Sequence, residues 1–201
     1  LQPGMRLVSD KASSVTLRMA DDSLVRIDGA TDLTISDFVV GTTGSAGPSS
    51  SAEYELGYGS VRIVSGRVAP TGSSVVTLHT PYGDVVANTA DYSASLCAGE
   101  CVQSPGLYVC MQSGEANARS SGGMTTLRSG QASYFSGGQQ SARIMDSCPT
   151  FMAEITGGAL RASLDVQAPG IPRLRQEAQD FLSGVIDPPA SPSQQPASTP
   201  R

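Results

Sequence analysis

The chain has 201 residues, of which 39% are apolar and 15% charged, enough to bury one ordinary core with some length to spare. Its net charge is −5 and its Lys and Arg are scattered, so no cationic cluster stands ready to displace counterions from a phosphate backbone, and nucleic acid is excluded as a partner. No apolar run reaches the roughly 18 residues of a membrane span, and Leu1-Gln2-Pro3-Gly4 shows neither the basic flank nor the apolar stretch of a signal peptide.

Gly, Ser, Thr and Val dominate, a mixture that favours strands and tight turns over helices. Ser14-Val15-Thr16-Leu17-Arg18-Met19 alternates polar with apolar, Ala20 to Ser23 turns, Leu24-Val25-Arg26-Ile27 returns, and Leu33-Thr34-Ile35 alternates again after Asp28-Gly29. Such runs predict antiparallel strands with one buried face. Gly41 to Ser51 has no periodicity and reads as an exposed loop. Tyr54, Leu56 and Val61 to Val64 resume the strand pattern, and Val75 to Leu78 and Val85 to Ala87 flank a turn at Thr80-Pro81-Tyr82-Gly83-Asp84. Pro81 lacks an amide donor and belongs at a strand end.

A Ser-Gly step recurs at Ser65-Gly66, Ser113-Gly114 and Ser129-Gly130, each between strand-like runs. Glycine there allows a turn or bulge, and the set predicts an all-β fold of strongly bent antiparallel sheets, rolled or sandwiched on themselves. We place this β domain at 1–150. A C-terminal extension at 151–186 holds a short helix: Pro172 suits its first turn, Leu174, Ala178, Phe181, Leu182 and Val185 share a face, and Gly184 ends it. Residues 187–201 carry five prolines and no large apolar side chain, the composition of a disordered tail.

Cys97, Cys101, Cys110 and Cys148 form an even set without the Cys-x2-Cys knuckles or histidine partners of a zinc site. Two disulfides in an oxidising compartment are expected. Of three connectivities, Cys97 with Cys101 is favoured because Ala98-Gly99-Glu100 would make a three-residue hairpin loop, and this leaves Cys110 to pair with Cys148.

Gly59-Ser60-Val61-Arg62-Ile63-Val64-Ser65-Gly66-Arg67-Val68 resembles the middle of a FecR-type domain, with the family's downstream Thr-Pro turn at Thr80-Pro81. Leu107 to Ala118 is similar to a second such element, and Leu127-Arg128-Ser129-Gly130-Gln131-Ala132 to the closing one. Leu1-Gln2-Pro3-Gly4-Met5, Ser14 to Leu17 and Asp21 to Ile27 resemble the opening strands, so the likeness covers about Leu1 to Phe135. At 88–92 the family's Gly-Thr-x-Phe is replaced by Asn88-Thr89-Ala90-Asp91-Tyr92, and the Cys97 to Cys110 insert is not general to the family. The resemblance implies a periplasmic or cell-surface β domain without catalysis or cofactor, acting as an envelope scaffold or sensing module for a protein partner.

The alternative is a carbohydrate- or peptidoglycan-binding module using tyrosines, with Tyr82 and Tyr92 as the ligand-facing candidates. The absence of Trp weighs against it. His79 is the single histidine and reads as strand-end structure, since a triad would need a nucleophile and a carboxylate beside it. Asp21, Asp22, Asp28, Asp32 and Asp37 lack the ligand density of a calcium loop and read as turn carboxylates. No metal or cofactor is expected.

Overall fold

A computed structural model of the chain describes residues 3–19, 21–39, 51–65, 75–99, 101, 103–138, 140–158 and 160. Eleven strands follow one another among these: β1 (Met5–Val8), β2 (Val15–Arg18), β3 (Leu24–Ile27), β4 (Asp32–Val39), β5 (Ser51–Val64), β6 (Val75–Thr80), β7 (Gly83–Cys97), β8 (Gly106–Ser120), β9 (Gly123–Arg128), β10 (Ala132–Phe135) and β11 (Arg143–Met145). A 3-10 turn (Thr150–Met152) then leads into the single-turn helix α1 (Ala153–Thr156). The short strands obey the period of two: Val25 and Ile27 of β3, and Leu33 and Ile35 of β4, are buried while their neighbours are not.

Three long strands, β5, β7 and β8, bend across the molecule and belong to two layers at once. The first part of β5 pairs with β4, setting Tyr54 opposite Ile35, and its last part pairs with β3, setting Val61 opposite Ile27. β7 pairs with β6 through Val85 and Leu78, then crosses to β5 through Ala94 and Val61. β8 follows β7 along both stretches, with the register shifting between Ala87 and Ala90 and again between Asp91 and Tyr92. Gly114 of β8 lies at that corner with φ 83°, and a Cβ there would come within 2.2 Å of the Thr89 carbonyl oxygen. The Ser113-Gly114 step is thus a bulge inside one strand, and Ser129-Gly130 is the turn between β9 and β10.

The all-β class and the bent sheet stand as the sequence predicts, with one difference. Among the described residues β5 and β6 pair in parallel, Ser51 opposite Val75, so the sheet is mixed. A bent strand that starts in one layer and ends in the other makes this natural: β6 re-enters beside the start of β5, not its end. The stretch 40–50, the step at Gly66, the helix expected over 172–184 and the tail at 187–201 lie outside the described residues, while Ser51 already belongs to β5.

The layers share one core. Leu33, Leu56, Leu78, Val85 and Leu127 from the first meet Ile27, Ile63, Tyr92, Leu96 and Met111 from the second in a single cluster. Burying each such side chain contributes about 1.5–3 kcal/mol. The second layer is buried on its other face too. Cys97, Tyr108, Cys110 and Ala132 form a smaller cluster with Met152 and Ile155, so residues 150–156 act as a cap over that face.

Two ties hold the cap. One is the Cys110–Cys148 disulfide, spanning 38 residues. The other is Arg62, 5% exposed, whose Nε and Nη2 donate to the two Asp91 carboxylate oxygens at 2.8 Å each. Its Nη1 donates to the carbonyls of Thr156 (3.2 Å), Gly157 (3.3 Å) and Gly158 (2.8 Å). Removing one member of a buried pair strands the other charge. Asp91→Ala is expected to lower the unfolding free energy by about 3 kcal/mol, measured by urea denaturation.

Candidate binding cleft

Where β5 exchanges β4 for β3, its neighbour is the turn between those strands, residues 28–31, and the backbones meet without side chains between them. Gly59 has φ 90°, and a Cβ on it would sit 2.4 Å from the Ala30 carbonyl oxygen. A Cβ on Gly29 would sit 2.3 Å from the Lys11 carbonyl oxygen. The turn is laced to its surroundings: Ser9 Oγ donates to Asp28 O (2.6 Å), Ala30 N donates to Asp10 O (2.8 Å), and Ser60 N donates to Thr31 Oγ1 (2.9 Å). Glycine at these points leaves an uncovered floor.

Over that floor opens a cleft of about 700 Å³, walled by Lys11, Tyr58, Cys97, Cys101 and Phe151. A second groove of about 360 Å³ continues on the other side of Phe151, toward Asp28 and Glu154. Phe151 is 37% exposed and Tyr58 40%, so both present rings to solvent here. Phe151 is held edge-on against Tyr108, with ring centroids 5.1 Å apart, and Tyr108 packs on Tyr134 at 4.7 Å. Burial holds the Asp28 carboxyl above the usual carboxylate range, against the pull of Arg26 at 2.9 Å. The cleft therefore combines aromatic rings, one lysine and two sulfur atoms, a surface suited to binding.

The expected site residues fall elsewhere or change meaning. Tyr92, expected to face a ligand, is fully buried in the main core, because its position on β7 points between the layers. Its hydroxyl has no hydrogen-bond partner, and burial pushes its ionisation up. Tyr82 sits in the β6–β7 turn, half-buried against the core. Tyr58 and Phe151 are the rings that line the cleft, and sequence reading passed over Phe151 because nothing local marks a residue of an irregular cap as exposed.

The four cysteines divide. Cys110 and Cys148 are joined, while Cys97 and Cys101 are thiols, the first buried and the second exposed. The three-residue hairpin expected between them does not form: β7 runs to Cys97 and β8 begins at Gly106, so the connection spans residues 98–105 and Cys101 lies within it. His79, the penultimate residue of β6, turns both ring nitrogens to carboxylates, Nδ1 to Asp84 at 2.9 Å and Nε2 to Glu53 at 4.0 Å. Asp22, Asp28 and Asp32 pair with Arg18, Arg26 and Arg6, and Asp21 accepts from the Ser23 amide at 3.0 Å.

No protein-family model matches the chain, and no curated protein matches it in sequence. Two crystal structures of a "putative anti-sigma factor" from Parabacteroides distasonis ATCC 8503, at 1.65 Å and 2.50 Å resolution, share its fold with TM-scores of 0.56 and 0.57. Identity is 12% and 11%, and each match covers 77% of this chain and 66% of the other. The likeness is one of fold, and the chain spans less than two thirds of those proteins.

Two substitutions test the account of the corner and the core. Gly59→Ala is expected to destabilise the protein by more than about 1 kcal/mol, through strain at positive φ and collision with the 30–31 backbone. Tyr92→Phe removes an unpartnered buried hydroxyl and is expected to leave the thermal midpoint unchanged or raise it, as scanning calorimetry would show.

Proposed function

We propose that this chain is a non-catalytic sensing or scaffold module of the cell envelope, which binds a protein partner through the cleft beside Phe151. The observation that carries this reading is the fold shared with proteins named as anti-sigma factors, whose name describes binding to another protein. The resemblance of Gly59 to Val68, Thr80-Pro81 and Leu127 to Ala132 to FecR-type domains supports the same class. The Cys110–Cys148 bond supports an oxidising location, periplasmic or cell-surface, since such bonds persist there and are rare in the cytosol.

The cleft suits the role. Its volume falls in the range of about 300–1,000 Å³ usual for binding sites, and fixed aromatic rings beside a polar group resemble the anchors of protein interfaces. Lys11 at the rim would favour an acidic or carboxylate-bearing segment. The sugar-binding alternative has less to stand on, because Tyr92 is in the core and Tyr82 is half-buried in a turn.

The test is cross-linking in the producing cells, purification of the protein recovered, and calorimetric titration of it against the wild-type chain and Phe151→Ala. Parallel sedimentation with peptidoglycan sacculi forms the second arm. Saturable protein binding weakened about tenfold or more by Phe151→Ala is expected, equivalent to about 1.4 kcal/mol. Equal affinity of the two chains, or saturable binding to sacculi in place of protein, would overturn the proposal.

A further inference from the structure

Cys97 and Cys101 stand at one wall of the cleft, the first at the last position of β7 and 2% exposed, the second in the following loop and open to solvent. Both line the same cleft, and Cys101 lies near enough to Cys97 to raise the ionisation of its thiol. The chain between them turns at Gly99, which has φ 96° and open space where a Cβ would be. The far end of the loop is fastened, Tyr108 Oη donating to the Ser104 carbonyl at 3.0 Å and Tyr134 Oη to the Pro105 carbonyl at 2.8 Å. One sulfur is fixed at a strand end, and the other is held near it by an anchored loop.

We propose that Cys97 and Cys101 are a reversible dithiol–disulfide pair at the rim of the cleft, oxidised by small-molecule disulfides and opened again by the corresponding thiols. Their roles are unequal. Burial, with Cys101 adding to it, pushes the Cys97 thiol up to about 12, which keeps it protonated, whereas Cys101 is the sulfur that solvent reaches. Cys101 as its thiolate therefore attacks one sulfur of a disulfide RSSR; the sulfur–sulfur bond breaks, RS⁻ leaves and takes up a proton, and a mixed disulfide forms on Cys101. Cys97 then loses its proton to solvent, attacks Cys101 Sγ and expels the second RS⁻, which is protonated in turn. In sum the two protein thiols lose two electrons and two protons, and one RSSR becomes two RSH.

Reversibility follows from loop size. Three residues separate these cysteines, so their bond would constrain the unfolded chain far less than the Cys110–Cys148 bond with its separation of 38. The Cys110–Cys148 bond also lies beneath the cap, Cys110 Sγ being 3.5 Å from Met152 Sδ, while Cys101 is exposed. The small-loop bond with one solvent-exposed sulfur is the one that exchanges, and the large-loop bond, with one sulfur buried and the other half-buried, is the one that persists. Because both sulfurs wall the cleft, closing the bond draws Cys101 against the strand end and reshapes that wall. The pair stands whether or not the cleft takes a protein partner.

The full chain is equilibrated without oxygen in graded mixtures of reduced and oxidised glutathione, quenched in acid, alkylated and mapped by mass spectrometry. Two alkylatable thiols are expected in reducing mixtures and none in oxidising ones, in one transition, with the linked Cys97–Cys101 peptide appearing as they vanish. The Cys110–Cys148 peptide stays linked throughout. In Cys97→Ser the glutathione adduct on Cys101 should accumulate; in Cys101→Ser, an exposed change that leaves folding intact, Cys97 should react about tenfold or more slowly than Cys101 does in the wild type. Four results overturn the proposal: both thiols alkylated at every ratio, a lasting glutathione adduct on wild-type Cys101, Cys97 reacting as fast as Cys101, or the two disulfides opening together.

Discussion

Arg62 divides one guanidinium between two parts of the chain. Two of its nitrogens grip Asp91 on the neighbouring strand, and the third collects the carbonyls of Thr156, Gly157 and Gly158. Those three carbonyls follow one another at and just past the end of α1, a single turn that leaves its last acceptors open. A planar, permanently charged fork suits the place, because it gives directed donors in several directions at once. Without the cap, Ser93, Ser95 and Cys97 would line a bare outer face of the second layer. The cap in turn places Phe151 at the cleft, so the geometry of that cleft depends on a charge buried on β5.

The second constraint is the bend. A flat sheet of strands as long as β5, β7 and β8 could not bury both ends in one core, and the native twist alone does not turn a corner this sharp. The sequence supplies the turn at Gly59, at the register shift after Ala87 and at Gly114. At Gly59 and Gly114 the backbone approaches another backbone too closely for a Cβ. The cleft is a by-product of that approach. Where β5 leaves β4 for β3 there is no side chain to fill the space, and the groove opens above it.

Much of the layering was legible because it rests on local chemistry: the alternation in β3 and β4, the turn at Pro81 and the Ser-Gly steps at 113 and 129 each carry their own reason. What was not legible depends on pairing across the chain. The parallel contact of β5 with β6 follows from where a bent strand ends, which no window of residues records. Tyr92 reads from sequence like any strand tyrosine, yet its parity on β7 turns it into the core, while Cys97, five positions on, faces outward. Arg62 looks like an ordinary polar residue between Val61 and Ile63, on the face a two-layer reading would leave in water. Only the arrival of residues 150–158 makes that face an interior.

The same distinction bears on how far a shared fold carries. At 12% identity the side chains common to this chain and its structural neighbours are few, yet the bent-sheet layout persists. That is expected if glycine corners and alternating burial specify the layout, since many apolar sets of similar volume satisfy them. Function does not travel on the same constraint. Phe151, Lys11 and Cys101 come from the cap, from an exposed turn and from the β7–β8 connection, the parts of the chain least dictated by the layout. Under the proposed binding role, specificity would reside at the rim of the corner, where the layout leaves side chains free to vary, and not across the core.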